Sequence, residues 1–260
     1  EKPALSVPDE VYEEIRKDEV LRDYQKEAVI HALDDIKAYG GALISVPTGG
    51  GKTVIFARMF RALARHTDVS PSFVIVPSVD LVHQFATMLR KFAELEYVSE
   101  IRAGSYVFDA PVYVSTYASV VRKVTKGLVG DIGNVTSMLR DMDEVADEEK
   151  LSDLVYDKVA EKYKTAKLVV VDEAHHTPAE TLYYVMNTNS NVHVGLTATP
   201  FRADRLDLLL YGATNYVSYK IPVSLLVEKG YLVPVKVELY HFHTTIPVSY
   251  THLRAHETRH

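Results

Sequence analysis

The sequence contains no cysteine, no tryptophan and no apolar run long enough to cross a membrane. Without cysteine the 260-residue chain can form neither disulfides nor thiolate metal sites, and this composition fits a reducing compartment. A membrane-spanning helix needs roughly 20 apolar residues, which no segment approaches. The charged first 19 residues do not resemble a signal peptide. We therefore expect a cytoplasmic protein with no membrane partner.

The chain also lacks an excess of positive charge. Its 29 basic and 35 acidic residues give a formal net charge of −6, whereas a domain with a global electrostatic footprint for nucleic acid would be basic. Any nucleic-acid binding must therefore be argued from local motifs. Hydrophobic residues make up 47% of the chain, which is ample for one large α/β domain or two smaller ones.

A glycine-rich segment, Ser45–Thr53, follows the apolar run Ala42–Ile44 and precedes an apolar segment with helical spacing. This order predicts a buried strand, a tight turn and a helix. Consecutive glycines let several backbone N–H groups point at one centre, where the helix N-terminus adds partial positive charge. We expect Lys52 to reach the β- and γ-phosphates of a nucleotide and Thr53 to bind Mg²⁺. The rest of the predicted phosphate cradle is Thr48, Gly49, Gly50 and Gly51.

Short β-branched runs alternate with helical segments further along the chain. Phe73–Val76, Val112–Val114 and Leu168–Val171 are predicted strands, the first followed by a helix from Val79 to about Phe92. Such alternation predicts an α/β fold with a mostly parallel sheet and helices on both faces. Together with the phosphate cradle it predicts a P-loop NTPase. Ligands of these sheets bind at the carboxyl ends of the strands.

The third of these strands leads into two carboxylates, Asp172 and Glu173. We expect them on a strand end neighbouring the one that carries Lys52. There Asp172 would hold Mg²⁺, usually through water, and Glu173 would orient and deprotonate the attacking water. Lys52, Asp172, Glu173 and His175 are the predicted catalytic residues.

Four short motifs occur along the chain in a fixed order. The glycine-rich segment departs from the usual phosphate-loop pattern at one position, because Val46 replaces the first glycine of that pattern. The motifs are Tyr24-Gln25, Gly49–Thr53, Asp172–His175 and Leu196–Arg202. In this order they resemble the first RecA-like domain of superfamily 2 DNA helicases and translocases, over about residues 20–243. Leu21–Gln25, Leu196–Arg202 and Gly230–Pro234 are similar to the branch of type I and type III restriction motor subunits and DNA-repair helicases. Asp23 departs from that branch, in which proline is common at this position.

The resemblance implies an ATP-dependent DNA motor with ATP and Mg²⁺ as cofactors. Tyr24 and Gln25 would recognise adenine, because an amide can both donate to and accept from its edges. His175 would link the nucleotide site to the next motif, and Thr197 and Thr199 would couple the γ-phosphate to the grip on nucleic acid.

The same resemblance implies that turns at the sheet rim grip the sugar-phosphate backbone of the nucleic acid, which is expected to be DNA. Hydroxyls and backbone N–H groups suit this contact because they bind phosphate without reading bases. The simpler alternative, that these residues only cap helices, stays open. The candidate residues are Pro77, Ser78, Gly104, Ser115 and Thr116.

The predicted organisation is a lead-in at 1–19, a RecA-like domain at 20–243 with a helical insert at about 122–166, and a non-native tail at 247–260. The tail resembles a translated sequencing adaptor, so the spacing of its histidines is not interpreted as a metal site. In the resembling family the arginine that stabilises the transition state lies in a second RecA-like domain, which is missing before residue 246. The chain alone is therefore expected to bind ATP but to be nearly inactive. That second domain is an expected partner, as are nuclease or specificity subunits.

Three other functions remain open at this point. A P-loop ATPase that does not act on nucleic acid would share the cradle and the acidic strand end, but would have no reason to carry Tyr24-Gln25 or Leu196–Pro200. An RNA helicase would share all four motifs. A non-catalytic nucleic-acid-binding module would keep the fold only as a scaffold.

Overall fold

A parallel sheet forms the centre of the fold in the computed structural model, which describes residues 5–101, 109–117, 119–120, 153–174, 183, 186, 192–199 and 207–234. The strands are β1 Gly41–Ser45, β2 Ser72–Val76, β3 Val98–Ile101, β4 Val112–Thr116, β5 Leu168–Asp172, β6 Val192–Thr197 and β7 Val217–Lys220. The helices are α1 Asp9–Arg16, α2 Asp23–Tyr39, α3 Lys52–His66, α4 Val79–Phe92, α5 Asp153–Lys164, α6 Asp207–Thr214 and α7 Val223–Glu228.

The strand order is β3-β4-β2-β5-β6-β1-β7, and every neighbouring pair is parallel. The carboxyl ends of the strands therefore meet at one edge of the sheet. This confirms the predicted α/β class with a mostly parallel sheet. One detail of the prediction is wrong: β1 and β5 are not neighbours, because β6 lies between them.

Both faces of the sheet are covered. Successive side chains of a strand point to opposite faces, and in β1 Ala42 and Ile44 join one apolar cluster whereas Leu43 joins the other. The first cluster contains the apolar faces of α1 to α4, and the second contains buried side chains of α5 and α6. This two-sided burial explains why the central strands are apolar along their whole length.

Helix α2 shows how the sequence pattern fixes one of these layers. Its buried positions include an apolar face formed by Ala28, Val29, Ala32, Leu33 and Ile36, and the helix ends at Gly40, which adopts a left-handed conformation with φ of 72°. Glycine takes this conformation without steric strain. Helix α4 begins and ends where the sequence predicted, at Val79 and Phe92.

Two segments outside the predicted motifs are also informative. The lead-in contains α1, whose Val11 and Ile15 are fully buried in the first cluster. Glu14 of the same helix forms ion pairs with Arg61 and Arg65 of α3. Helix α5 lies in the predicted insert, and residues 121–152 lie outside the described residues. None of the helices that can be described is long and apolar enough to span a membrane.

Candidate nucleotide-binding site

Each glycine of the loop between β1 and α3 is required by the local geometry. Gly49 and Gly51 have φ of 81° and 82°, in the left-handed region that favours glycine. A Cβ atom on Gly50 would lie 2.5 Å from Val46 Cγ1 and 2.9 Å from the carbonyl oxygen of Pro47. Val46, which replaces the usual glycine, therefore packs against Gly50, where a side chain would not fit.

Helix α3 presents its N-terminus to this loop. Gly51 is its N-cap and Lys52 and Thr53 begin its first turn, which contains no acidic residue. Arg65 and His66 lie in the last turn, at the negative end of the helix dipole. The charge distribution of the helix therefore favours an anion at the loop.

Lys52 and Glu173 meet at the same edge of the sheet. Lys52 Nζ lies 3.1 Å from Glu173 Oε1, and the two side chains are 10% and 23% exposed. Asp172 is the last residue of β5. The charge of Lys52 acts on its carboxyl group, so both carboxylates lie close to the lysine at the loop. The structure thus brings together the two segments that the sequence analysis assigned to phosphate and Mg²⁺.

Strand β6 joins these segments because it lies between their strands. The carbonyl oxygen of Thr197 accepts a hydrogen bond from the Val46 N–H at 2.9 Å, and that of Leu196 accepts one from Ala174 N–H at 3.1 Å. The Thr197 hydroxyl donates to the carbonyl oxygen of Thr199 at 2.7 Å, and Thr199 N–H donates back to that hydroxyl oxygen at 3.1 Å. A movement at the end of β6 would therefore shift both the phosphate loop and the segment that carries Asp172 and Glu173.

Burial, and then the negative charge of Glu173, raise the pKa of Asp172 to about 6, against the opposing effect of Lys52. Asp172 Oδ1 is buried, and no hydrogen bond reaches it from the part of the chain that the structure describes. A buried carboxylate oxygen without a donor is suited to a cation or to a water molecule bound to one. Asp172 thus fits Mg²⁺, and Thr53 in the first turn of α3 carries a hydroxyl of the type that binds Mg²⁺ at such loops. The described residues contain no cluster of three or more metal-binding side chains.

Tyr24 and Gln25 both bind the phosphate loop. The Tyr24 hydroxyl and the Gln25 amide Nε2 donate to the carbonyl oxygen of Gly50, at 2.8 and 3.2 Å. Gln25 Oε1 accepts the Arg22 N–H at 2.9 Å. Each of the two amide atoms of Gln25 therefore already makes one local hydrogen bond, and the side chain is buried. Its adenine contact stays a prediction, one that would use the remaining N–H and lone pair.

The predicted rim residues do not all occupy turns. Pro77 and Ser78 are exposed after β2, and the Ser78 side chain makes no capping hydrogen bond to α4. Ser115 and Thr116 were expected in a turn, but they are the last two residues of β4 and are buried. The Thr116 hydroxyl oxygen lies 3.0 Å from the Ser119 hydroxyl and accepts the Ser119 N–H at 3.4 Å, which is a capping geometry. Thr116 therefore caps the turn that follows β4, and its contact with nucleic acid stays a prediction.

Two predicted site residues, Gly104 and His175, lie outside the described residues. Conversely, the structure places Leu232 against the loop, since a Cβ atom on Gly49 would lie 3.0 Å from Leu232 Cδ2. Leu232 was given no role in the site by the sequence analysis. The only sequence signal for it was its position within Gly230–Pro234, one of the segments that carried the family resemblance.

The fold and the glycine-rich loop define a P-loop domain of the RecA-like type. The chain belongs to the family described as "Type III restriction enzyme, res subunit", whose model matches residues 18–202. This confirms the family resemblance.

Individual relatives are distant. The chain is 27% identical to "Putative helicase 22" of a Sulfolobus islandicus filamentous virus, over 85% of this chain and 35% of that protein. It is 26% identical to "DNA 3'-5' translocase XPB2" of Sulfurisphaera tokodaii, over 85% of this chain and 40% of that protein. The chain thus spans well under half of the length of these curated relatives. The crystal structure of the UvsW helicase from bacteriophage T4 has the same fold, with a TM-score of 0.57 at 18% identity, over 85% of this chain and 70% of that one.

Proposed function

We propose that this chain is the nucleotide-binding half of an ATP-dependent DNA helicase or translocase, with Mg²⁺·ATP as its cofactor. The observation that carries the proposal is the 3.1 Å contact between Lys52 and Glu173 at the carboxyl edge of the sheet. This contact supports the proposal because it brings Lys52 and Glu173 together beside the glycine loop, next to the end of β5 at Asp172. Membership of a family described as a restriction enzyme subunit supports action on DNA.

Each residue of the nucleotide site has a distinct role in ATP hydrolysis. The loop N–H groups and the α3 N-terminus bind the phosphates, and Lys52 exchanges its contact with Glu173 for phosphate oxygens. Release of Glu173 from the lysine leaves its carboxylate available to orient and deprotonate a water molecule. Asp172 and Thr53 would hold Mg²⁺, which offsets negative charge on the β- and γ-phosphates.

Strand β6 would couple the presence of the γ-phosphate to the position of the sheet edge. Thr197 and Thr199 are bonded to each other, while the backbone of β6 binds both the phosphate loop and the Asp172–Ala174 segment. A change of hydroxyl partners there would alter the end of the sheet at which Pro77 and Ser78 are exposed. We assign these two residues, with Gly104, Ser115 and Thr116 as further candidates, to contacts with the nucleic-acid backbone.

Binding of Mg²⁺·ATP to the 260-residue chain tests the nucleotide site. Calorimetry should show binding by the wild-type chain and a rise in Kd of at least about tenfold in Lys52→Ala, since a charge-assisted phosphate contact is lost. Lys37→Ala is the control, because Lys37 is exposed near the opposite end of α2. Equal affinity of Lys52→Ala and wild type would contradict the proposal.

The full-length protein distinguishes a DNA motor from its alternatives. Its ATP turnover should rise on addition of DNA, rise less with RNA, and be lost in Lys52→Ala. Turnover that no nucleic acid stimulates would favour a P-loop ATPase of another kind, and stimulation by RNA alone would favour an RNA helicase. Nucleic-acid function that survives Lys52→Ala would indicate a non-catalytic module. For the isolated 260-residue chain we expect slow turnover and no duplex unwinding.

A further inference from the structure

Helix α4 ends in a strained turn. Ala93 is its C-cap, and the next residue, Glu94, has φ of 56°. This left-handed conformation is common directly after a helix, but the residue that adopts it is usually glycine, because a side chain makes it costly. The Glu94 side chain is 51% exposed, so burial does not hold it in this conformation. The contacts of its carboxylate show what does.

Arginines of α3 bind the Glu94 carboxylate. Arg61 Nη2 and Arg65 Nη2 lie 3.0 and 3.1 Å from Glu94 Oε2. Arg58 Nη1 lies 3.4 Å from Glu94 Oε1 and donates to the carbonyl oxygen of Phe92, the last residue of α4, at 3.0 Å. A hydrogen bond from Arg61, together with the charges of these arginines, lowers the pKa of Glu94. The end of α4 is therefore tied to α3 by charge.

Two of the same arginines also bind a carboxylate of α1. Arg61 and Arg65 each use their other terminal nitrogen, Nη1, to pair with Glu14 Oε1. Each of the two guanidinium groups thus lies between two carboxylates, in a charged cluster of Glu14, Arg61, Arg65 and Glu94. The Arg61 and Glu14 side chains are 15% and 17% exposed, and charges shielded from water attract each other more strongly than exposed ones.

The two helices that this cluster joins begin at different parts of the proposed site. Helix α3 begins at Lys52 of the phosphate loop, and α4 begins directly after Pro77 and Ser78, which we assign to the nucleic-acid backbone. Along α3 the cluster lies about 20 Å from Lys52. Between these ends the helices pack on each other, with the Phe56 and Phe85 rings 6.0 Å apart. A shift of the phosphate loop would therefore move the start of α4 as well.

We propose that Glu94 is a positioning residue that makes α3 and α4 move as one unit, so that the nucleotide sets the position of the nucleic-acid contact at Pro77 and Ser78. This inference rests on the proposed function, and the route is separate from the one through β6. The strain at Glu94 supports it. Glycine would end α4 with less strain, but it carries no carboxylate that could bind α3.

The test is Glu94→Gly in the full-length protein. Glycine adopts φ of 56° without strain, so the variant keeps the turn and loses its contacts with α3. ATP turnover would be measured against DNA concentration. The DNA concentration that gives half-maximal stimulation should rise at least about threefold, within the range by which residues between two sites alter their coupling. The KM for ATP without DNA should change less than about twofold.

Asp109→Gly is the matched control. Asp109 also has a positive φ, of 67°, and an ion pair with Lys162 at 2.9 Å, but it lies before β4 and Lys162 belongs to α5. This variant removes the same charge and should leave the response to DNA unchanged. Loss of a negative charge alone would strengthen binding to DNA, so a weaker response in Glu94→Gly has another cause.

Two further measurements separate positioning from a structural role. Urea unfolding of the 260-residue chain should give Glu94→Gly a midpoint equal to or above that of the wild type, because relief of strain offsets the loss of partly exposed ion pairs. Arg65→Met removes contacts of the cluster from the α3 side and should weaken the response to DNA as Glu94→Gly does.

Three outcomes would overturn the inference. An unchanged response to DNA in Glu94→Gly, while DNA stimulates the wild type, overturns the positioning role and leaves the proposed function standing. An equal loss of response in Asp109→Gly would show that the effect is not specific to the link between α3 and α4. A wild-type protein that DNA does not stimulate would overturn the proposed function, and this inference with it.

Discussion

Replacing Asp172 with asparagine should stabilise the chain near pH 8 when metal and nucleotide are absent. Burial and the charge of Glu173 raise the pKa of the Asp172 carboxyl to about 6, so ionisation of this group opposes folding at neutral pH. Asparagine has nearly the same shape and no charge. The variant should therefore lose Mg²⁺ binding and gain stability.

The sign and size of the effect follow from the pKa. An aspartate in an unfolded chain has a pKa of about 3.9, so between about pH 4 and 6 the folded protein binds more protons than the unfolded one. The free energy of unfolding of the wild type therefore falls as pH rises through this window. Two pKa units correspond to roughly 3 kcal/mol, and because the group is partly exposed we expect about 1 to 2 kcal/mol. The advantage of Asp172→Asn should be full above pH 6.5 and small at pH 4.5.

Urea unfolding between pH 4.5 and 8, with a chelator present, measures this advantage. Glu96→Gln is the control, because Glu96 is exposed and lies after α4, away from the acidic pair. An Asp172→Asn variant that is less stable than the wild type at pH 8 would refute the reasoning. So would an advantage that does not change with pH, since it would have a cause other than ionisation.

Two other substitutions have outcomes set by packing and charge. Gly50→Ala places a Cβ atom 2.5 Å from Val46 Cγ1, so it should weaken Mg²⁺·ATP binding measured by calorimetry. Adding Val46→Ala should restore part of the lost affinity. Unchanged affinity in Gly50→Ala would contradict a steric conflict at this position. Arg58→Met removes the partner of Asp18, to which Arg58 Nε is bonded at 2.6 Å with both side chains buried, and should lower the free energy of urea unfolding by about 3 to 5 kcal/mol. Arg16→Met, on an exposed ion pair, should change it by less than about 1 kcal/mol, and equal effects of the two variants would argue against the buried pair.

Local features of the site were predictable from the sequence because they depend on neighbouring residues. The left-handed conformations of Gly49 and Gly51, the α3 N-terminus at Lys52 and the end of β5 at Asp172 all follow from short stretches of chain. The order of the strands was not predictable in this way. Nothing near Lys52 in sequence indicates that β6 lies between β1 and β5, since strand order is set by pairing between distant segments.

Side-chain partners across the fold were also missed. The family resemblance implied an adenine contact for Gln25, which stays a prediction. The bond from its amide to the carbonyl oxygen of Gly50 was not predicted, because the two residues are distant in sequence. Ser115 and Thr116 were expected in a turn because the predicted strand ends at Val114, yet parallel pairing with β2 continues through Thr116 and extends the strand over both. The short edge strands β3 and β7, of four residues each, were not predicted, because such short segments carry little periodicity.

The acidic pair shows why a strained backbone can be part of this site. In a strand that continued past Asp172, the next side chain would point to the opposite face of the sheet. Glu173 instead has φ of 48°, a left-handed conformation that costs a non-glycine residue about 1 to 3 kcal/mol. This turn breaks the alternation, so the charge of Lys52 acts on Asp172 while Lys52 Nζ binds Glu173 directly. The Ala174 N–H bond to Leu196 holds the chain in this conformation from the β6 side. Strain at Glu173 thus has a geometric result that an unstrained strand could not give: two consecutive carboxylates close to one lysine, as the proposed division between Mg²⁺ ligand and general base requires.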